Sequence, residues 1–386
     1  MKEPRIYLDY NASAPLRIEA RRAMEAVLDG GPSNASSVHG DGQRGRKAVE
    51  EAREKVARVV GGRPKEIIFT SSATESNNLA IVGSVLAAGA QAGDVVASTT
   101  VEHPSVLGPL EWLERDRGLS IAWIPVGPSG ELDRAAFSAA LDRRPLLLSM
   151  IGANNETGVV QGVIELCQEA KAAGSIVHVD AAQWIGRLPF SVQEIPADLV
   201  TLSSHKLGGP QGAGALWVRG GTKLEASIRG GHQERNRRAG TENVAAIAGF
   251  GEACSVATQE MAEQCARVQE LRERLWMGLR EGCSPLALHG EGAKRLPNTL
   301  NISFGQVDGE TLLIALDLMG ISVSSGSACT AGSLEPSHVL EAMGVDESSA
   351  RGAVRFSLGY GTTQAEIERT ITAVAAAVHR VRSEAG

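Results

Sequence analysis

Several protein classes are excluded by what this chain lacks. Its 386 residues carry a net charge of −7, so it has no basic excess of the kind a nucleic-acid backbone selects, and DNA is not an expected partner. Long apolar runs are missing. The best, Ala80 to Ala90, is too short to cross a bilayer and is interrupted by Gly83 and Gly89. The N-terminal MKEPRIYLDY has no apolar signal core, so a cytoplasmic location without membrane contact is expected. Cysteine is scarce. Cys167, Cys254, Cys265, Cys283 and Cys329 form no C-x-x-C pair, which argues against structural zinc, and their odd number argues for reduced thiols. No G-x-G-x-x-G opens a helix after the first strand, and neither G-x-x-x-x-G-K-[ST] nor G-x-S-x-G occurs.

What is present reads as a soluble globular protein, 43% hydrophobic and 22% charged, long enough for two domains. Short β-branched runs alternate with helical stretches. Candidate strands are Glu66 to Ser71, Asp94 to Thr99, Ser120 to Val126, Pro145 to Ala153, Ser175 to Val179, Asp198 to Ser203 and Gly214 to Arg219. Amphipathic stretches such as Ala73 to Ala88 and Ile164 to Ala173 lie between them, and a charged helix from Gly45 to Val60 precedes the first. This alternation predicts an α/β fold with a mostly parallel seven-stranded sheet. After Thr241 the pattern changes. A long helical stretch, expected to break once, runs toward Glu281; strands at Thr299 to Phe304 and Ala353 to Leu358 and helices at Glu310 to Met319 and from Thr363 follow. The division expected is a large domain over 15–255 and a smaller α+β domain over 1–14 and 256–386.

In open α/β sheets ligands bind at the carboxyl ends of the strands. There the sequence places Thr70 to Asn78 opening a helix, Glu102-His103-Pro104, Asn154 to Gly158, Asp180 to Gln183, and Ser203-Ser204-His205-Lys206. Singly, each has a bland reading: an N-cap, a packed imidazole, a turn, a solvated lysine. Together they offer an anion cradle, an acid, an imidazole, two amides and an amine on one sheet edge. That set fits pyridoxal phosphate, which needs an amine for a Schiff base, an anion site for its phosphate and a carboxylate on its pyridine nitrogen. Cys329 stands apart from the other thiols. It lies in the run Ser324-Ser325-Gly326-Ser327-Ala328-Cys329-Thr330-Ala331-Gly332, without the apolar periodicity that buries a structural cysteine, as expected of a thiol on a pliable loop.

These motifs, in this order, resemble the pyridoxal-phosphate cysteine desulfurases of the NifS/IscS type, over nearly the whole chain. The resemblance also takes in Tyr7-Leu8-Asp9-Tyr10-Asn11, Gly230 to Arg235, Arg238 to Asn243 and Arg355 to Gly359, and the Gly231 to Arg235 wording is closest to the NifS branch. It implies fold type I of the pyridoxal-phosphate-dependent transferases. By the same resemblance Lys206 carries the cofactor, Asp180 pairs with its ring nitrogen, and Gln183 bonds its hydroxyl. His103 stacks on the ring, while Ala73, Thr74, Ser203 and His205 hold the phosphate. Thr241 reaches the phosphate of a second subunit, which implies a homodimer with shared sites. Asn155 and Arg355 position L-cysteine. Cys329 takes its sulfur as a persulfide, L-alanine leaves, and the sulfur passes to an acceptor such as an iron–sulfur scaffold or a thiolation partner. Selenocysteine lyase, another pyridoxal-phosphate β-lyase and a non-catalytic paralogue acting as a scaffold are the alternatives.

Three positions depart from the family's wording. Ala35 replaces a frequent Pro, Ser72 a frequent Gly, and Asn236 another frequent Gly. A positive φ at Ser72 would be strained, whereas Asn tolerates one at 236.

Overall fold

The structure is a computed structural model and describes residues 4–325 and 336–385. The strands described are β1 (Ile6–Tyr7), β2 (Ile67–Thr70), β3 (Val95–Thr99), β4 (Ser120–Ile124), β5 (Leu147–Ile151), β6 (Ile176–Asp180), β7 (Leu199–Ser203), β8 (Gly214–Val218), β9 (Leu286–Leu288), β10 (Thr299–Phe304), β11 (Ile321–Ser322) and β12 (Ala353–Ser357). Seven of them build one sheet in the order β2-β8-β7-β6-β5-β3-β4. Neighbours are parallel except around β8, which runs against both β2 and β7. All seven coincide with the expected runs. Every residue of β5, β7 and β8 is buried, as befits a sheet covered by helices on both faces. Because β2, β3, β5, β6 and β7 point the same way, their carboxyl ends share one edge.

The C-terminal part is built differently. An antiparallel sheet runs β12-β10-β9, with Asn301 opposite Arg355, and β1 pairs in parallel with β11. Ile6 and Leu8 pack into a second core with Leu300, Ile302, Phe356 and Val374. Thus the first strand of the chain belongs physically to its end.

One expectation fails here. The stretch after Thr241 is a single helix, Val244–Cys283, without a break. Its first half packs into the main core through Phe250, Cys254 and Ala257, and its second half into the other core through Val268, Leu275 and Leu279. Between Ala257 and Val268 it buries nothing, so the apolar periodicity lapses; no Gly or Pro stands there, so the helix continues. The division expected at 255 falls inside this helix. None of the described helices is long and apolar enough to cross a membrane.

Candidate active site

A cavity of about 310 Å³ opens at the shared edge of the strands. It is lined by Ala73, Thr74, His103, Asn155, Asp180, Gln183, Ser203, His205, Lys206 and Arg355, together with Asn11, Ser72 and Ser105 among others. A larger open groove of about 910 Å³ lies between Pro285 and Arg351, but its lining has no lysine, thiol or imidazole, so it offers less chemistry. Two expected site residues do not appear in this lining, which is drawn from the described residues. Thr241 is exposed and outside the cavity of its own chain, and Cys329 lies outside the described residues.

At one pole the helix Ala73–Ala87 begins directly after β2. Its N-cap Ser72 has φ −170°, extended backbone that any residue adopts, so the departure from Gly carries no strain. Ser72 Oγ accepts the Glu75 N–H at 3.1 Å, and the N–H groups of Ala73 and Thr74 fall outside the helix's own ladder. The helix can start this close because β8 supplies Gly214, where a Cβ would stand 2.6 Å from the Ser72 carbonyl carbon. Beside it, Ser203 Oγ is buried and has no hydrogen-bond partner among the described residues. Leaving a buried hydroxyl unpaired costs about 1–3 kcal/mol, which an anion accepting its proton would recover. His205 Nδ1 meets Ser13 Oγ at 3.2 Å, and burial, then Lys206 and Arg187, push this imidazole down to about 4. An orphaned hydroxyl, two helix-start N–H groups and an imidazole fit a phosphate.

The floor of the cavity is a connected polar chain. Asp180 Oδ2 accepts from Asn77 Nδ2 at 2.7 Å, and its Oδ1 accepts from Ala182 N–H at 2.9 Å. Asn77 also donates to Ser105 Oγ at 2.8 Å. Ser105 in turn donates its N–H to His103 Nδ1 at 3.1 Å, so the neutral His103 ring carries its proton on Nε2. Burial pushes His103 below the ordinary imidazole range; Asp180 opposes this, and Lys206 and His338 add to it. Lys206 follows β7 on the short turn Ser204–Lys206, and its Nζ donates to Asn11 O and to Ala12 O at 2.9 Å. Gln183 donates to the same Asn11 carbonyl at 2.9 Å, while its Oε1 accepts from Arg187.

The opposite pole belongs to the C-terminal part. Arg355, buried on β12, donates from Nη2 to Asp9 Oδ1 at 2.7 Å and from Nη1 to the Asn155 carbonyl at 3.0 Å. Its backbone bridges Ser324, with Arg355 N–H donating to Ser324 O at 2.7 Å. Asn11 braces the same turn, donating to Asn155 O at 3.0 Å and to Thr299 Oγ1 at 2.9 Å.

The described thiols are poor nucleophiles. Cys167 is buried and pushed up to about 12 by burial, next to Asp198. Cys254 and Cys283 are buried and raised too. Cys265, expected to be a packing residue, is only half-buried and donates its thiol proton to Arg187 O at 2.7 Å. A thiol needs to ionise to attack, and burial opposes that in all four.

The residue-by-residue reading gave no role to Asp9, Asn11, Asn77, Glu102 or Ser105. All but Ser105 stood inside motifs that the sequence displays, in Tyr7 to Asn11, in Thr70 to Asn78 and beside His103. The missing information was which atoms meet.

Residues 6–370 match the profile of the aminotransferase class-V family. The chain is 43% identical to the cysteine desulfurase IscS of Dictyoglomus turgidum over 378 residues, 98% of this chain and 95% of that protein. Among solved structures, a NifS-like protein superposes with a TM-score of 0.91 at 33% identity, covering 97% of this chain and 100% of the other. SspA in complex with cysteine gives a TM-score of 0.80 at 30% identity, covering 92% and 99%. With its cavity, sheet order and near-complete overlap, the chain belongs to the class-V aminotransferase family and, within it, to the cysteine desulfurases of the NifS/IscS type.

Proposed function

We propose that the chain binds pyridoxal phosphate and removes sulfur from L-cysteine, forming L-alanine and a persulfide on Cys329. One observation carries this reading: an amine (Lys206), a fixed carboxylate (Asp180), a buried hydroxyl without a partner among the described residues (Ser203) and a buried cation (Arg355) line a single cavity. When bound, pyridoxal phosphate supplies an electron sink for the substrate's Cα. The chain's own residues do the rest. Ala73, Thr74, Ser203 and His205 would take the phosphate, and Gln183 would face the ring hydroxyl. Asp180, held by Asn77 and Ala182, would keep a proton on the ring nitrogen. His103 presents its Nε2 proton, and Arg355 with Asn155 would take the substrate carboxylate. In the overall step the substrate Cβ–S bond breaks and an S–S bond to the Cys329 thiolate forms. The carbon skeleton keeps the electron pair, and Cβ gains a proton to become a methyl group.

The ends of the Cys329 segment support this role. Ser324 bridges to Arg355, and Ser337 Oγ donates to Glu156 Oε2 at 2.5 Å, next to Asn155. Onward transfer goes to an acceptor protein such as an iron–sulfur scaffold. The active unit is a homodimer in which Thr241 serves the partner's phosphate site, and the two domains divide as 15–255 against 1–14 with 256–386.

The test is incubation with L-cysteine, with alanine quantified and the intact mass measured. One added sulfur on the peptide containing Cys329 is expected, and Cys329→Ala should form neither persulfide nor alanine. Alanine release from that variant at the wild-type rate would sink the mechanism.

A further inference from the structure

Shortly after Cys329 in sequence, Ser337 and His338 form a polar clasp outside the cavity lining. His338 Nε2 donates to the backbone carbonyl of Glu102 at 2.9 Å. Ser337 Oγ caps the short helix His338–Ala342 by accepting from Leu340 N–H at 3.2 Å, and donates to the buried Glu156. Glu102 is itself tied down. Its buried Oε1 accepts from Thr99 Oγ1 at 2.6 Å and from Ile151 N–H at 2.7 Å, at the ends of β3 and β5. The loop is fixed once more by Asn154 Nδ2, which donates to Val101 O at 3.1 Å. His338 therefore closes a set of contacts around the dipeptide Glu102–His103, whose second residue stands over the cavity.

We propose that His338 is a positioning residue for the reaction, holding His103 in place through the backbone of Glu102, with Ser337 and Glu156 fixing His338 from the other side. This rests on the reading that His103 serves the cofactor site. Charge adds to the geometry. The groups facing His338 are Glu102 and His103 after β3, Glu156 after β5, and Arg355 on β12 beyond it; Asp180 and Lys206 face His103. A positive charge on His338 pushes the proton off His103 and favours the ionised form of Glu156, whose own burial pushes its carboxyl up. Burial does most to keep His103 neutral and the second imidazole adds to it, while the Ser105 N–H on Nδ1 leaves the ring proton on Nε2.

Two variants separate bond from charge. In His338→Gln the side-chain amide can still donate to Glu102 O but carries no charge, whereas His338→Leu loses both. The holoenzyme is labelled at histidine, and the ring signals of His103 are titrated by NMR without cysteine; the pH profile of alanine formation is measured in parallel. The expected result is a His103 titration moved to higher pH in both variants. At pH 8, kcat should fall about tenfold in His338→Leu and stay within about twofold of wild type in His338→Gln, with KM for cysteine unchanged. An unmoved His103 titration, or equal loss in both variants, overturns the proposal. Should the wild type form no alanine, the functional reading fails, while the His103 titration still decides whether His338 acts on it.

Discussion

The two poles of the cavity are built on opposite plans. At the cofactor pole the seven-stranded sheet leaves polar groups waiting: Ser203 Oγ has no partner among the described residues, and Ala73 and Thr74 N–H lie outside their helix's ladder. At the substrate pole Arg355 is already compensated, by Asp9 and the Asn155 carbonyl. The difference sets what each ligand meets. A phosphate at the first pole gains bonds that were unmade, which favours tight, lasting retention. A carboxylate at the second must share or replace Asp9, so it gains only the difference between two charge-assisted bonds and is easily released. A resident cofactor and a substrate that turns over need these two behaviours.

The strongest way to break this comparison is at the junction of the poles. Lys206→Ala should lower alanine formation by about a thousandfold or more, because it removes the amine proposed to hold the cofactor and act at Cα. Absorbance of the bound cofactor should change with it; turnover near wild type would refute the assignment. Arg355→Ala comes next. It should cut kcat/KM for cysteine about a hundredfold while cofactor retention stays intact, since the lost contact is a charged one at the other pole only. Loss of cofactor instead would show that the poles are not separate. Asp9→Asn sharpens the same point: with the competing charge weakened, KM for cysteine should fall severalfold if Asp9 only competes, and rise if it also orients the guanidinium. Ser203→Ala should weaken pyridoxal phosphate binding about tenfold, read by equilibrium dialysis, with KM for cysteine unchanged.

Much of this was readable from sequence, for identifiable reasons. The seven strands are β-branched runs bounded by turns, and a parallel sheet needs such runs, so their positions followed from periodicity alone. The reversal of β8 did not, because Gly214–Val218 is buried on both faces and an all-apolar run carries no direction. Thr74, Asp180, Ser203 and Lys206 were found because they end strands or follow them within a few residues, and strand ends in a parallel sheet must meet. Asn11 reaches the cavity, and Asp9 its Arg355, from just after β1, which pairs with β11 about three hundred residues later. Nothing local announces such a contact. The helix Val244–Cys283 misled for a related reason, since its polar middle spans two cores and resembles a break. Asn236, at φ +63°, sits in a run of left-handed residues with Glu234 and Arg235, which confirms that the frequent glycine there answers a backbone need.

The smallest expected effect concerns stability and compares buried imidazoles on the two sides. His178, on β6 beneath the cofactor pole, meets Ser149 Oγ at 2.9 Å and Thr201 Oγ1 at 3.0 Å; burial pushes it down to about 4, against Asp180. His289, by the small sheet, meets Ser303 Oγ at 2.6 Å and is likewise pushed down to about 4 by burial, against Asp346. Both are neutral in the folded chain over a range where the unfolded chain protonates them. Between pH 6.5 and 4 the unfolded state therefore binds more protons, and stability rises with pH, by at most about 1.4 kcal/mol per pH unit for each histidine. Urea midpoints at fixed protein concentration should fall as the pH drops through this window and be insensitive to these groups above it. His178→Gln and His289→Gln should each flatten the slope by up to one proton's worth, so equal flattening means that both sides lose stability to acid in the same way. If only His178→Gln flattens it, the acid sensitivity belongs to the sheet that carries the cofactor pole, and the small sheet tolerates a charged His289 through Asp346.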